Sequence, residues 1–360
     1  MQGKYRPFWL DEAKNIVVID QTKLPFKYET VTLKSSDDAI SAIKDMTIRG
    51  AGVIGNIAAF GIYLAVREDS SLQYIKTQAQ KIRKSRPTAV NLMWAVDIMM
   101  QTIENSPVNL LQIALEVAIK ISDEDAQRSE LIGKYGCDTF EEILKTKNKK
   151  RLNILTHCNA GWLAIVDNGS ALAPIYEAQK RGIDVHVWVD ETRPRNQGAN
   201  LTAWELNESG IKHTVIPDNT GGYLMQQGFV DVCIVGADRV SANGDVANKI
   251  GTYLKALSAK DNKIPFYVAI PEGTLDFEIH DGVKEIPIEL RSEDEVRFIK
   301  GLDSKGRLQE IKILQDSSQS VNYGFDITPA RLITGIISEN GICEANTEAI
   351  RKSFLREKNA

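Results

Sequence analysis

Two side chains able to move protons stand in polar turns that follow apolar runs. They are Cys158, in Leu155-Thr-His-Cys-Asn-Ala-Gly161, and Asp238, in Val235-Gly-Ala-Asp-Arg239. The run before Asp238, Val230-Asp-Val-Cys-Ile-Val235, is short and β-branched, as suits a strand covered on both faces. Leu152-Asn-Ile-Leu-Thr156 reads as the strand before Cys158. Open parallel sheets bind ligands at the edge where strands end, so a thiol and a carboxyl there face one cleft. An unpaired cysteine is more often buried filler, and Cys137, Cys233 and Cys343 sit in periodic apolar contexts that keep that reading. Cys158 departs from it, because its turn is polar and contains glycine. For Asp238 the alternative is a capping carboxylate in an ordinary surface loop.

Candidate anion sites surround this pair. Asn243-Gly244 signals a turn and Asp245 an N-cap, so a helix is expected from Ala247 to Ser258. Asn248 and Lys249 then fall near a helix N-terminus, where free N–H groups and the dipole favour phosphate. Arg49-Gly50-Ala51-Gly52 leads into the apolar helix Asn56 to Val66. Its glycines permit close backbone approach and Arg49 suits an oxyanion, although a tight helix crossing needs the same glycines. Arg86 precedes Pro87 and a helix expected over Thr88 to Ile103, a second anion candidate. A third polar loop, Asp190-Glu-Thr-Arg-Pro-Arg-Asn-Gln197-Gly198, offers donors to a hydroxyl-rich ligand, or Arg193 as a structural clamp. The four histidines form no ligand pair, and no glycine-rich nucleotide motif follows a strand. These residues point to acid/base chemistry on a phosphorylated small molecule, with neither metal nor cofactor expected.

The elements that must carry them divide the chain in two. Strand-like Asn15 to Ile19 and Tyr28 to Leu33 precede helical periodicity that runs to about residue 144, with Ser35-Ser-Asp-Asp38 opening the first helix. Lys145 to Arg151 is a charged linker candidate. From residue 152, five strands alternate with helices, which implies right-handed crossovers and a parallel sheet covered on both faces. Residues 328 to 356 read as closing helices. The expected fold is α/β: a mainly helical N-terminal domain with a small β element over 1–145, then a Rossmann-like domain over 146–360. Of the 360 residues, 43% are hydrophobic and 26% charged, the balance of a globular protein, and a net charge of −4 gives no footprint for nucleic acid. Four scattered cysteines suggest a reducing compartment. No signal segment and no run approaching ~18 apolar residues is seen, so a cytoplasmic protein without a membrane partner is expected.

At these loops the chain resembles methylthioribose-1-phosphate isomerases, within the larger family that includes eukaryotic initiation factor 2B regulatory subunits. Matching segments include Ile48-Arg-Gly-Ala51, Ser85-Arg-Pro-Thr-Ala-Val-Asn-Leu92, Leu155 to Gly161, Glu191-Thr-Arg-Pro194, Leu201-Thr-Ala-Trp-Glu-Leu206, Gly236-Ala-Asp-Arg239, Asn243 to Tyr253 and Phe325-Asp-Ile-Thr-Pro329. The resemblance implies a homodimer, a catalytic pair Cys158 and Asp238, and contacts to a sugar phosphate from Arg49, Gly50, Ala51, Arg86, Gln197, Asn248 and Lys249. It implies isomerisation of a 5-substituted ribose 1-phosphate, S-methyl-5-thioribose 1-phosphate of methionine salvage, to the ribulose 1-phosphate. Departures from the family pattern flank the site: Gly52-Val53, Trp162, Ile165-Val-Asp167, Arg195-Asn196 and Asn200. They leave the group on C5 open. A 5-deoxyribose-1-phosphate isomerase is an alternative, with Trp162 filling the space of a missing methylthio group. A ribose-1,5-bisphosphate isomerase and a non-catalytic regulatory subunit are the others.

Overall fold

A computed structural model describes residues 6–86, 89–106 and 108–355, so Pro87 and the expected helix start at Thr88 lie outside the described residues. The chain opens with an antiparallel sheet of Phe8–Leu10, Ile16–Ile19 and Thr30–Leu33. Helix Ser36–Lys44 begins at a capping box in which the Ser35 hydroxyl and the Asp38 carboxylate each take the other's backbone N–H. Helices Ala51–Glu68, Leu72–Ser85 and Val90–Glu104 follow. Ala51–Glu68 is apolar on nearly every face. By length and composition this 18-residue helix could cross a membrane, which the sequence reading did not foresee; 83% of it is buried inside the protein, the setting of a core helix.

Helix Leu110–Lys147 is 38 residues long, roughly 57 Å at the α-helical rise. Its first half buries Ala114, Ala118 and Ile121 among the other helices, and its second half buries Ile132, Cys137 and Phe140 against the sheet domain. Helix Ala173–Lys180 crosses it closely: a Cβ at Gly136 would lie 2.3 Å from Pro174 Cγ. The expected charged linker at Lys145 to Arg151 is therefore corrected. The helix continues to Lys147, Lys147 and Lys149 reach the buried Asp231, and a strand starts at Arg151.

Seven strands form the central sheet. Their spatial order is Gly341–Cys343, Gly335–Ser338, Phe266–Ala269, Val232–Val235, Arg151–Thr156, Asp184–Asp190 and His213–Ile216. All pairs are parallel except the Gly341–Cys343 edge. Counting the six parallel strands along the chain gives the order 3-2-1-4-5-6, the doubly wound arrangement that the expected fold requires. Its switch point lies between Arg151–Thr156 and Val232–Val235, locked where Thr156 Oγ1 donates to Ile234 O at 2.8 Å.

Two stretches expected to be helical are strands in part. Val246–Lys249 pairs antiparallel with both Arg239–Ser241 and Phe325–Thr328, in a four-stranded sheet with Leu275–Asp276. Asn248 and Lys249 are thus strand residues, and the helix begins only at Thr252. Asp245 does not cap that helix: it binds Asn243 Nδ2 and the Ala330 N–H. The cap comes from Asp326, whose carboxylate takes the N–H groups of Gly251 and Tyr253. Among the described residues from 328 to 355, only Thr347–Phe354 is α-helical. Ile336 and Ile337 are fully buried and β-branched, and they add the sixth parallel strand.

Candidate active site

Cys158 and Asp238 follow the two strands that flank the switch point, and they line one cavity. Cys158 has φ = 68°, an uncommon left-handed conformation outside glycine that turns the chain sharply away from its strand. The turn is pinned from both sides: Cys158 N–H donates to Thr192 Oγ1 and its carbonyl accepts from Thr202 Oγ1. Asp238 is held by its N–H, which donates to Ala247 O across the start of the hairpin. Burial raises the Asp238 pKa, and the charges of Lys249, Arg49 and Arg86 only partly offset this. Such a carboxyl keeps a proton at higher pH than a surface aspartate does.

The cations converge from three elements. Lys249, buried in its strand, donates to Gly324 O at 3.0 Å and lies 4.8 Å from the Phe325 ring centre. Burial lowers its pKa, while Cys158 and Asp238 favour its charge. Arg86 follows helix Leu72–Ser85 and stands 3.9 Å from Glu289; burial lowers its pKa too. Arg49 gives both Nη groups to Asn159, at 2.6 Å to Oδ1 and 2.9 Å to the carbonyl. Next to it Gly50 has φ = 94° and abuts Ala164, and helix Ala51–Glu68 starts there with no side-chain cap. The Val53 N–H goes to Ala164 O, so the Ala51 and Gly52 N–H groups are the helix-start donors that remain. An anion at this point meets the positive end of an 18-residue dipole.

Gln197 and Asn248 complete the set, both buried and both in the cavity lining. Gln197 Oε1 has no partner, and Asn248 Nδ2 rests on Thr252 Oγ1. All nine residues expected from sequence therefore line one cavity. Met46, Arg49 and Gln197 also line an adjoining cleft of about 870 Å³, which marks them as its neck. Arg193 is not part of this lining; its guanidinium binds Pro194 O and Val296 O, a structural clamp. An apolar wall faces the polar groups: Met46, Ile54, Val90, Ile165 and Ile286.

Sequence reasoning missed Arg291. It enters the cavity from the segment after the central sheet's fifth parallel strand, tied by Glu289 and Glu295. Its only local signal is the i,i+4 pairing with Glu295. Glu205 was also given no role. It is fully buried and accepts from Asn159 Nδ2, Trp162 N, Leu163 N and the Tyr176 hydroxyl. Burial lifts its carboxyl to about 6, and those four donors restrain the rise. Trp162 points away from the cavity into the sheet core, its ring 5.7 Å from that of Trp204, so it does not fill the space of a C5 substituent.

Behind Cys158, His157 Nε2 meets Ile250 O at 2.9 Å and so carries a proton, while Nδ1 meets Asp190 at 2.9 Å. His157, Asp190 and Asp218 bring donor atoms within 4.8 Å of one another, a spacing an ion could use. Both ring nitrogens are engaged, however, and the Lys255 ammonium lies 3.2 Å from Asp190.

The sequence profile described as the initiation factor 2 subunit family matches residues 47–345. A methylthioribose-1-phosphate isomerase of Sulfurimonas denitrificans is 60% identical over 358 residues, covering 98% of this chain and 99% of that one. One of Paramagnetospirillum magneticum is 53% identical over 352 residues, 97% of each chain. Among solved structures, 5-methylthioribose 1-phosphate isomerase of Pyrococcus horikoshii superposes with TM-score 0.83 at 36% identity, covering 97% of this chain and 96% of that one. Translation initiation factor eIF-2B subunit delta of A. fulgidus gives 0.82 at 35%, covering 98% and 100%. Profile, identity over nearly the whole length, and fold agree: the chain belongs to the initiation factor 2 subunit family and, within it, to the methylthioribose-1-phosphate isomerase family.

Proposed function

We propose that this protein isomerises S-methyl-5-thioribose 1-phosphate to the corresponding ribulose 1-phosphate. The observation that carries the reading is the meeting of Cys158 and Asp238 across the switch point, in one cavity with five cationic side chains and an apolar wall. A 1-phosphate blocks the anomeric oxygen, so the sugar ring cannot open spontaneously to a free aldehyde. Asp238, its proton retained by burial, protonates the ring oxygen as the C1–O bond breaks. Hydrogen then moves from C2 to C1, with Cys158 taking the C2 proton as thiolate or stabilising a hydride shift. Arg49, Arg86, Lys249 and the N–H groups at Ala51 and Gly52 hold the phosphate and fix C1 and C2. Gln197 and Asn248 supply polar contacts to the sugar, and Met46, Ile54 and Ile165 receive the methylthio group. The resemblance to the family also supports a homodimer, which light scattering tests.

Steady-state kinetics decide the reading. Methylthioribose 1-phosphate should exceed 5-deoxyribose 1-phosphate in kcat/KM by the ~1–3 kcal/mol that burying the extra group contributes. A reversed preference removes the methylthio assignment. Asp238→Asn and Cys158→Ser should each lower kcat by ~10²–10⁴ with little change in melting temperature. Lys249→Ala should chiefly raise KM. Deuterium at C2 is retained at C1 by a hydride shift and exchanges with solvent through enolisation.

A further inference from the structure

We propose that Glu205 is a positioning residue, which through Asn159 holds the Cys158 loop and Arg49 in one fixed arrangement. The inference rests on the roles given above to Cys158 and Arg49. Glu205 Oε1 accepts from Asn159 Nδ2 at 2.8 Å and Leu163 N at 3.1 Å; Oε2 accepts from Trp162 N at 2.9 Å and the Tyr176 hydroxyl at 2.8 Å. Trp162 and Leu163 open a short turn closed by Ala164 and Ile165 N–H groups on Gly161 O, so the carboxylate caps that turn. Contact is close enough to dictate glycine at 161, where a Cβ would lie 1.9 Å from Oε2.

Asn159 is spent entirely on this link. Its amide N–H₂ serves Glu205 and Thr202, while its Oδ1 and its carbonyl both receive Arg49. Arg49 arrives from the helical half of the chain, and Cys158 immediately precedes Asn159. One buried carboxylate therefore sets the orientation of the proposed phosphate clamp and the turn of the proposed thiol. Holding a loop needs only a few donors, and an apolar residue would fill the same core. An ionised group here adds a directional constraint that packing cannot supply.

The test compares wild type with Glu205→Gln, Glu205→Ala and Asn159→Ala. Glutamine keeps one acceptor for Asn159 and Leu163 and loses the acceptor for Trp162 N, so kcat should fall about tenfold. Asn159→Ala leaves the cap on Trp162 and Leu163 but removes Oδ1, so Arg49 keeps only the backbone carbonyl at 159; KM should rise and affinity for inorganic phosphate, by calorimetry, should fall, each about tenfold. Melting temperatures must stay above the assay temperature. If Glu205→Ala does not fold, the other two variants carry the test. Kinetic constants and phosphate affinity within about twofold of wild type in both, whatever the melting temperature, would reduce Glu205 to a brace of the fold and overturn the proposal. A wild type that turns over no sugar phosphate refutes the proposed function instead, and the phosphate affinities still decide on Glu205.

Discussion

Gly50 is where the helical half touches the thiol loop, and Gly50→Ala perturbs that seam with the smallest available change. A Cβ built there lies 2.4 Å from Ala164 Cα, 2.5 Å from its Cβ and 2.8 Å from its carbonyl oxygen. Carbon atoms rest at ~3.5–4.0 Å, so the two segments must part by ~1 Å, and no flexible side chain is present to swing aside. A positive φ adds ~1–2 kcal/mol for a residue with a Cβ, and overpacking adds ~1–3 kcal/mol. The combined cost of ~2–5 kcal/mol should lower the melting temperature by roughly 3–7 °C. The same shift stretches the 3.0 Å bond from Val53 N–H to Ala164 O and moves Arg49 relative to Cys158. A loss of up to ~10² in kcat/KM should follow, because reacting groups misplaced by ~1 Å cost about that much. Scanning calorimetry and steady-state kinetics read the two effects separately. An alanine variant that melts within about 1 °C of wild type with unchanged KM would refute the seam argument.

Three more outcomes are expected. Activity should fall on the alkaline side: burial raises Asp238, needed protonated, and lowers Lys249, needed charged, so the Asp238 loss reads in kcat and the Lys249 loss in KM. A carboxyl with a raised folded pKa contributes stability below its unfolded value and loses it as pH rises through the folded value. Asp238→Asn should therefore melt no lower than wild type at alkaline pH, and a lower value in a pH series of melting curves would contradict the sign. Asp326→Ala should cost ~1 kcal/mol and speed amide exchange in the first turn of Thr252–Asp261; Asp245→Ala should leave that turn protected. Equal exchange in both variants would return the cap to Asp245.

Cys158 and Asp238 were legible because the signal is local: an apolar β-branched run, then a polar turn, at the ligand edge of a parallel sheet. The neighbourhood of Lys249 was not. Val246-Ala-Asn-Lys249 has no strong propensity of its own and becomes a strand by pairing with Phe325–Thr328, far along the chain. The cap on the following helix was misassigned for the same reason, since Asp326 lies 75 residues from Gly251 in sequence. Arg291 escaped notice because its segment lies in no strand or helix that the pattern could orient. Glu205 carried a faint sign, a single carboxylate within Leu201-Thr-Ala-Trp-Glu-Leu206. The size of Trp162 was readable but its direction was not, and it faces Trp204.

Helix Leu110–Lys147 runs through both cores, and it behaves as a lever. Over roughly 57 Å a tilt of ~1° displaces the far end by ~1 Å. Arg49 precedes helix Ala51–Glu68, which packs on one end of this lever; Arg86 ends helix Leu72–Ser85, which packs on Ala51–Glu68 in turn, and the sheet that presents Cys158 and Asp238 rests against the other end. Angular error anywhere along the rod thus becomes linear error between the two groups of residues at the cleft. The tight crossings at Gly133 and Gly136 act as its bearings. A bulky residue at either would reach the chemistry without touching the substrate, by tilting the axis from which both halves take their alignment.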